Sequence, residues 1–402
     1  MEERQVPDWM KLPVVLQHRF FEEAEKEAKR CKERMLKLVE RLLWLREHLR
    51  FEPIPKSEEW RKWRVAVVDG SNSPLTSERL GSRYGAYCAG FMIFEGDEPV
   101  DEGYRSGSFS QDQLGSQDTA QKLLSLLRIR LERELAIKCI EDEDVDLVII
   151  DGSFFGFKRD AYHINNELVD YEKYTYGKDL TKEVVDLTLK LLRFNTVGVI
   201  KRSRLAVIDG WLIRKYGSLK YTLKLNDKYI LSSLMKPAEW FSYGWLVEDV
   251  KEIHYYETFR DRVIARKASL MSEDIKVDDE FERAKKRSDD FIRKSLGAEP
   301  EKVLCTARYF ARCSPAASPF EIEAHKDVNV EPVLSYFLSF HNPATGLPWP
   351  IDLIDANASL PRGFTKEFVE EIEARLMRDH EVSDKLALLQ HFSYLNPQKE
   401  ED

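Results

Sequence analysis

The 402-residue sequence is poor in cysteine: Cys31, Cys88, Cys139, Cys305 and Cys313 are the whole set, and no two share CxxC spacing. An odd, scattered group of thiols argues against a disulfide scaffold and against structural zinc, and fits a reducing compartment. No apolar run approaches the ~18 residues of a membrane span. The N-terminus, MEERQVPDWMK, lacks the apolar core of a secretory signal. These absences predict a soluble cytoplasmic protein with no membrane association. Positive charge is not in surplus either. The net charge is −9, so there is no global basic footprint for nucleic acid, although local patches remain possible. No solenoid-type repeat is visible. What is present is 43% apolar and 33% charged residues, enough for a large core beneath a heavily charged surface.

Two stretches carry the chemistry. Residues 146–153 read DLVIIDGS and residues 64–71 read RVAVVDGS. Each is a short apolar run of the kind that forms a strand buried on both faces. Each ends in an aspartate, Asp151 or Asp69, that is costly to bury alone. Glycine after it permits a sharp turn or a close approach. Asp-Gly after a strand is also ordinary turn chemistry. Two copies, both followed by serine, place two carboxylates at one sheet edge if the strands are neighbours, and gathered oxygens suit a hard divalent cation.

In chain order, residues 14–50 read as a long charged helix, with Met35, Leu38, Leu42, Leu45 and Leu49 forming an apolar stripe. Residues 51–57, with two prolines, end it. Strands are expected at 65–69, 84–95 and 100–108, with a turn at Gly96, Asp97 and Pro99 and loops at 71–82 and 107–116. A helix follows over 118–140, capped by Asp118 or Thr119. Its apolar face is Ala120, Leu123, Leu124, Leu127, Leu131 and Leu135. At about 100° per residue, Glu134 falls inside that stripe and Glu132 well to one side. A buried glutamate needs a partner, a proton or a metal, whereas one at the margin can reach water. The order strand, strand, strand, helix, strand predicts an antiparallel meander, then a crossover that sets 146–151 parallel to 65–69. Asp69 and Asp151 then share an edge, with Glu134 able to face them.

Residues 162–176 show no clear period. A helix is expected at 181–194 and a buried strand at 196–201 ending in Lys201, which can meet a phosphate or remain a solvated strand-end charge. LAVIDG, at 205–210, echoes the aspartate pattern without a serine and reads as a turn through Asp209. Residues 272–294 read as an inserted, highly charged surface helix, and 303–312 as a strand. In 346–358, GLPWPIDLIDANA, Asp352 and Asp355 are three apart and share a face if helical. Amphipathic helices are expected at 365–378 and 383–391, with a disordered tail over 397–402.

Strand-DGS, a helix with an inward glutamate, a second strand-DGS, strand-Lys and the late GLPWPI segment together resemble the NurA nucleases over roughly residues 60–360. The resemblance implies an α/β, RNase H-like mixed sheet with a manganese- or magnesium-dependent site. It implies exonuclease and single-strand endonuclease action on DNA, in end processing or antiviral defence. It also implies a ring-like homodimer docked on a HerA-type hexameric ATPase. By motif, Asp69 and Asp151 would be metal ligands, joined by Glu134. The late ligand, often histidine or aspartate in the family, falls on Asp355, with Asp352 and His325 as competitors. Lys201 resembles a lysine that ends the corresponding strand and could offset transition-state charge. This sequence departs from the more familiar pattern in having two aspartates and no histidine after the proline segment. The expected layout is a helical arm at 1–56, the nuclease domain at 57–360 with 272–294 inserted, and C-terminal helices and tail at 361–402.

The expected chemistry is metal-assisted phosphodiester hydrolysis, with Asp69, Glu134, Asp151 and Asp355 holding one or two Mn2+ or Mg2+ ions. The rival from another class is a non-catalytic adaptor of a motor ATPase, in which the aspartates only close turns.

Overall fold

Residues that are apolar at every position must be covered on both sides, and the chain covers them with helices. The computed structural model describes residues 8–112, 116–269, 276–379 and 384–395. Its strands are β1 (Glu52–Pro53), β2 (Arg64–Asn72), β3 (Ser77–Glu78), β4 (Ser82–Glu95), β5 (Glu98–Asp112), β6 (Leu147–Asp151), β7 (Leu168–Tyr171), β8 (Tyr174–Tyr176), β9 (Thr196–Ile200), β10 (Glu239–Ser242), β11 (Thr306–Arg312) and β12 (Phe320–His325). Its helices are α1 (Val14–Arg46), α2 (Gln117–Asp142), α3 (Lys158–Ile164), α4 (Gly177–Leu191), α5 (Val207–Tyr216), α6 (Asp227–Leu234), α7 (Glu252–Ser269), α8 (Val277–Leu296), α9 (Pro300–Val303), α10 (Val330–Ser339), α11 (Trp349–Ala358), α12 (Phe364–Arg378) and α13 (Lys385–Phe392).

One mixed sheet has the order β1-β10-β11-β12-β9-β6-β2-β4-β3, with β5 also on β4. The meander β2, β4, β5 is antiparallel, and α2 carries the chain back so that β6 lies parallel to β2, as expected. β9 joins parallel to β6. Val67 faces Ile149, and Asp151 faces Val199. These three strands are buried on both faces. Val65, Val67, Leu147, Ile149, Val197 and Val199 lie in a core with α10 and α11, while Ala66, Val68, Val148 and Ile150 pack into the core that holds α2. Full burial of each such valine or isoleucine contributes about 1.5–3 kcal/mol. Strand alternation then has a consequence for the polar residues that follow. Asp69, Asp151 and Lys201 continue the 65-67, 147-149 and 197-199 series, so all three fall on the α11 side.

Several boundaries differ from expectation. β5 runs to Asp112, because Gly103 and Gly107 sit against Phe91 and Tyr87 of β4 and the pairing is not interrupted. Ser116, not Asp118 or Thr119, caps α2, accepting from Thr119 N at 3.1 Å. LAVIDG is not a third strand-end turn. Asp209 lies in the first turn of α5, buried, and accepts from the backbone amides of Leu223 and Lys224 at 2.7 and 2.8 Å. The charged stretch after 276 is helix α8, and its sparse apolar residues Phe281, Ala284 and Ile292 are buried in the core; residues 272–275 and 397–402 lie outside the described residues. α1 buries only its last turns, through Leu42 and Leu45, leaving Val14, Phe21 and Met35 exposed. Beyond α11, Val369 of α12 and Phe392 of α13 close over Tyr84 of β4. Among the described residues no helix is long and apolar enough to cross a membrane.

Candidate metal centre

Asp69 at the end of β2, Asp151 at the end of β6 and Asp355 on α11 each offer a carboxylate oxygen, and these atoms lie within 4.8 Å of one another. Their positions follow from the fold. Parallel pairing brings the two strand aspartates to one edge, and Ile351 and Ile354 seat α11 on the same face, which delivers Asp355 from above. Lys201, just past β9, fills the space between. Its Nζ is 2.7 Å from an oxygen of Asp151 and 2.7 Å from one of Asp355. Lys228 Nζ donates to the Lys201 carbonyl and fixes the loop.

The electrostatics are unbalanced toward negative charge. Burial, then the charges of Asp151 and Glu132, push the Asp69 carboxyl up to about 8, against the Gly70 amide and Lys201. Burial also raises Asp151, partly offset by Lys201. Burial opposes the charge on Lys201, but the two carboxylates outweigh it and raise its ammonium. A set of hard oxygen donors with too little positive charge among them fits a divalent cation of the Mg2+ or Mn2+ type.

The glutamate beside these aspartates is Glu132, and this corrects the sequence expectation for Glu134. The Glu132 side chain is 3% exposed, pairs with Arg128, and lies 3.8 Å from Arg133. It rests against Gly70, where an added Cβ would come within 2.7 Å of its Oε1. Glu134 points the other way. Its side chain is 32% exposed and lies 3.6 Å from Arg130, which in turn bonds Glu172 and Tyr174 of the β7–β8 hairpin region. The leucine stripe of α2 lies flat on the sheet, so the strand end is met by one flank of the helix. Along that flank Gln121 donates to Ser73 O at 2.9 Å and Arg128 to Gly70 O at 3.2 Å. The polar series Gln121, Arg128, Glu132 was the available signal.

Of the three candidates for the late position, Asp355 is the one whose carboxylate lies with those of Asp69 and Asp151. Asp352 accepts from Asn342 Nδ2 at 2.7 Å and from Thr345, tying down its own loop. His325 sits at the far end of β12, where Ala324 pairs with Val197 near the start of β9, and its ring is 3.5 Å from Asp327.

The NurA domain family profile matches residues 63–360. No curated protein sequence matches. Among solved structures, the crystal structure of the NurA nuclease from Sulfolobus solfataricus has a TM-score of 0.57 at 12% identity, covering 91% of this chain and 99% of that one. A further crystal structure of NurA has a TM-score of 0.46 at 12% identity, covering 90% and 99%. A crystal structure of NurA with manganese has 0.48 at 11% identity, covering 89% and 99%. Matched by the family profile over well more than half its length, the chain belongs to the NurA family.

Proposed function

We propose that this chain is a metal-dependent nuclease that hydrolyses phosphodiester bonds in DNA. The observation that carries the reading is the meeting of Asp69, Asp151 and Asp355 at one sheet edge, with Glu132 beside them. These four carboxylates would hold Mn2+ or Mg2+, which supplies Lewis-acid polarisation of the phosphate and a water of lowered pKa. Burial and the neighbouring carboxylates raise the Asp69 carboxyl, so a cation held there would displace its proton, and uptake would strengthen as pH rises. Lys201 exchanges one of its two carboxylate partners for a non-bridging phosphate oxygen and offsets charge in the transition state. Arg202 and Arg204, exposed just beyond it, make the approach locally basic on an acidic chain.

The meander, the α2 crossover and the parallel β6 and β9 support an RNase H-like reading of the core. NurA membership supports exonuclease and single-strand endonuclease action alongside a HerA-type hexameric ATPase, in DNA end processing or antiviral defence in the cytoplasm. It also supports a homodimer. The exposed series Phe21, Ala24, Ala28, Cys31 and Met35 on α1 has coiled-coil spacing. Residues 22–27 are mainly acidic (Glu22, Glu23, Glu25 and Glu27 around Lys26) and residues 29–37 mainly basic (Lys29, Arg30, Lys32, Arg34 and Lys37 around Glu33), a bias that complements itself when two copies run antiparallel. In this reading residues 1–56 are an assembly arm, 57–360 the nuclease and 361–402 a C-terminal brace.

The test is cleavage of end-labelled single- and double-stranded DNA with Mn2+, Mg2+ or EDTA, with and without a HerA-type ATPase. Metal-dependent cutting that Asp151→Asn abolishes is the expected result. No cutting by the wild type under any of these conditions favours the adaptor.

A further inference from the structure

The duplicated Asp-Gly-Ser leaves its serines without a role in the reaction, yet both are bonded to other layers of the molecule. Ser71 lies two residues past Asp69 on the same side of β2, and its Oγ accepts from Leu360 N at 3.1 Å, just beyond the end of α11. The same helix end is held from β4. There Cys88, the residue paired with Ser71, donates its thiol to Ala358 O at 3.1 Å. Between them these bonds fix the last turn of α11, whose carbonyls have no further intrahelical donors, and that turn follows directly on Asp355. Ser153 lies two residues past Asp151. Its Oγ donates to Glu323 Oε2 at 2.5 Å, and Phe154 N donates to the same oxygen at 3.1 Å. Glu323 is fully buried on β12, and its other oxygen takes Thr306 Oγ1 at 2.8 Å and Arg308 at 3.2 Å. The turn between is tight. Gly152 has φ of +107°, its amide donates to Val199 O at 2.8 Å, and its carbonyl lies where a Cβ on Gly198 would sit, 2.4 Å away.

Resting on the metal-site reading above, we propose that Ser71 and Ser153 are positioning residues for the metal ligands, acting through different aspartates. Ser71 sets Asp355 against Asp69 by anchoring the end of α11. Ser153 sets Asp151 by anchoring its turn to the buried Glu323–Arg308 pair. Side chains that orient metal ligands from behind commonly change metal affinity about 10- to 100-fold when removed.

The experiment is Mn2+ binding to the full chain by isothermal titration, checked by the EPR signal of free Mn2+, with thermal melts alongside. The variants are Ser71→Ala, Ser153→Ala, the corresponding threonines, and each alanine combined with Asp355→Ala. Both alanine variants are expected to fold, since Cys88 still holds α11 and Glu323 keeps Phe154 N, Thr306 and Arg308. Each is expected to bind Mn2+ about tenfold more weakly, with threonine restoring most of the loss. In the Asp355→Ala background the Ser71→Ala effect should vanish, while that of Ser153→Ala persists. Lowered melting temperature with Mn2+ affinity within twofold of wild type overturns the proposal, as does a Ser71→Ala penalty that survives loss of Asp355. A wild type that binds no Mn2+ overturns the metal-site reading itself, a result recognisably different from either.

Discussion

Helix α2 carries two Arg-Glu pairs of the same i, i+4 form, two residues apart: Arg128 with Glu132, and Arg130 with Glu134. Locally they are interchangeable. In the fold they face opposite flanks of one leucine stripe. The first meets the end of β2, where Glu132 acts on Asp69 and Asp151. The second meets the β7–β8 hairpin, where Arg130 also bonds Glu172 at 2.8 Å and Tyr174 at 2.7 Å. The difference lies wholly in what each flank packs against. Glu132 sets a fourth carboxylate near Asp69 and Asp151, while Arg130 leaves Glu134 at 3.6 Å and turns its own hydrogen bonds to the hairpin.

The sharpest way to break this comparison is to neutralise each glutamate in turn. Glu132→Gln is expected to lower Mn2+-dependent cleavage of single-stranded DNA by more than about 100-fold, and Glu134→Gln by less than about threefold, because only the first alters the acidic wall of the site. Equal losses in a steady-state nuclease assay would erase the distinction. A steric version comes next. Gly70→Ala puts a Cβ 2.7 Å from Glu132 Oε1 and 2.8 Å from Cys88 O, and the latter is backbone that cannot swing aside. Overpacking of this kind costs about 1–3 kcal/mol, readable in urea unfolding, and should also weaken Mn2+ binding by displacing Glu132.

A third prediction uses pH. In the metal-free protein Asp69 holds a proton up to about pH 8, whereas the unfolded chain releases it near 3.8. The folded state therefore binds more protons between those values. The stability this group confers is fully present below the unfolded value and is lost as pH rises through 8. Asp69→Asn, which cannot ionise, should raise the metal-free melting temperature at pH 8 by at least ~2 °C and by progressively less toward pH 4. Saturating Mn2+ should reverse the order at pH 8 by stabilising only the wild type. The smallest effect belongs to the hairpin side. Arg130→Met should leave cleavage and Mn2+ affinity within about twofold while costing about 1–3 kcal/mol of stability, since it strips hydrogen bonds from Glu172 and Tyr174.

How much of this was legible in the sequence depends on whether a feature is local. Strands β2 and β6 were readable because a run apolar at every position has few alternatives to burial on both faces, and their aspartates followed from alternation and parallel pairing. Glu134 misled because a helical wheel marks the centre of the apolar stripe, whereas a strand end is reached from the stripe's flank. Asp352 and Asp355 share a helix face, and only the loop contributed by Asn342 and Thr345 separates them. LAVIDG has the same Asp-Gly text as the two site strands, but its aspartate binds amides 14 and 15 residues later, a partnership with no local mark. Glu323 and Arg308, the buried pair behind Ser153, likewise meet only through the pairing of β11 with β12 and of β12 with β9, which has no local mark in the sequence.

The most direct measurement is anomalous scattering at the manganese edge from crystals of the full chain soaked in Mn2+. The expected map has its peak among the carboxylates of Asp69, Asp151 and Asp355, on the side of Glu132, with Lys201 Nζ displaced from at least one of its two carboxylate partners. A peak beside Glu134, or a fully unoccupied site with Lys201 still bridging Asp151 and Asp355 at saturating Mn2+, would contradict the assignment of this sheet edge as the metal centre.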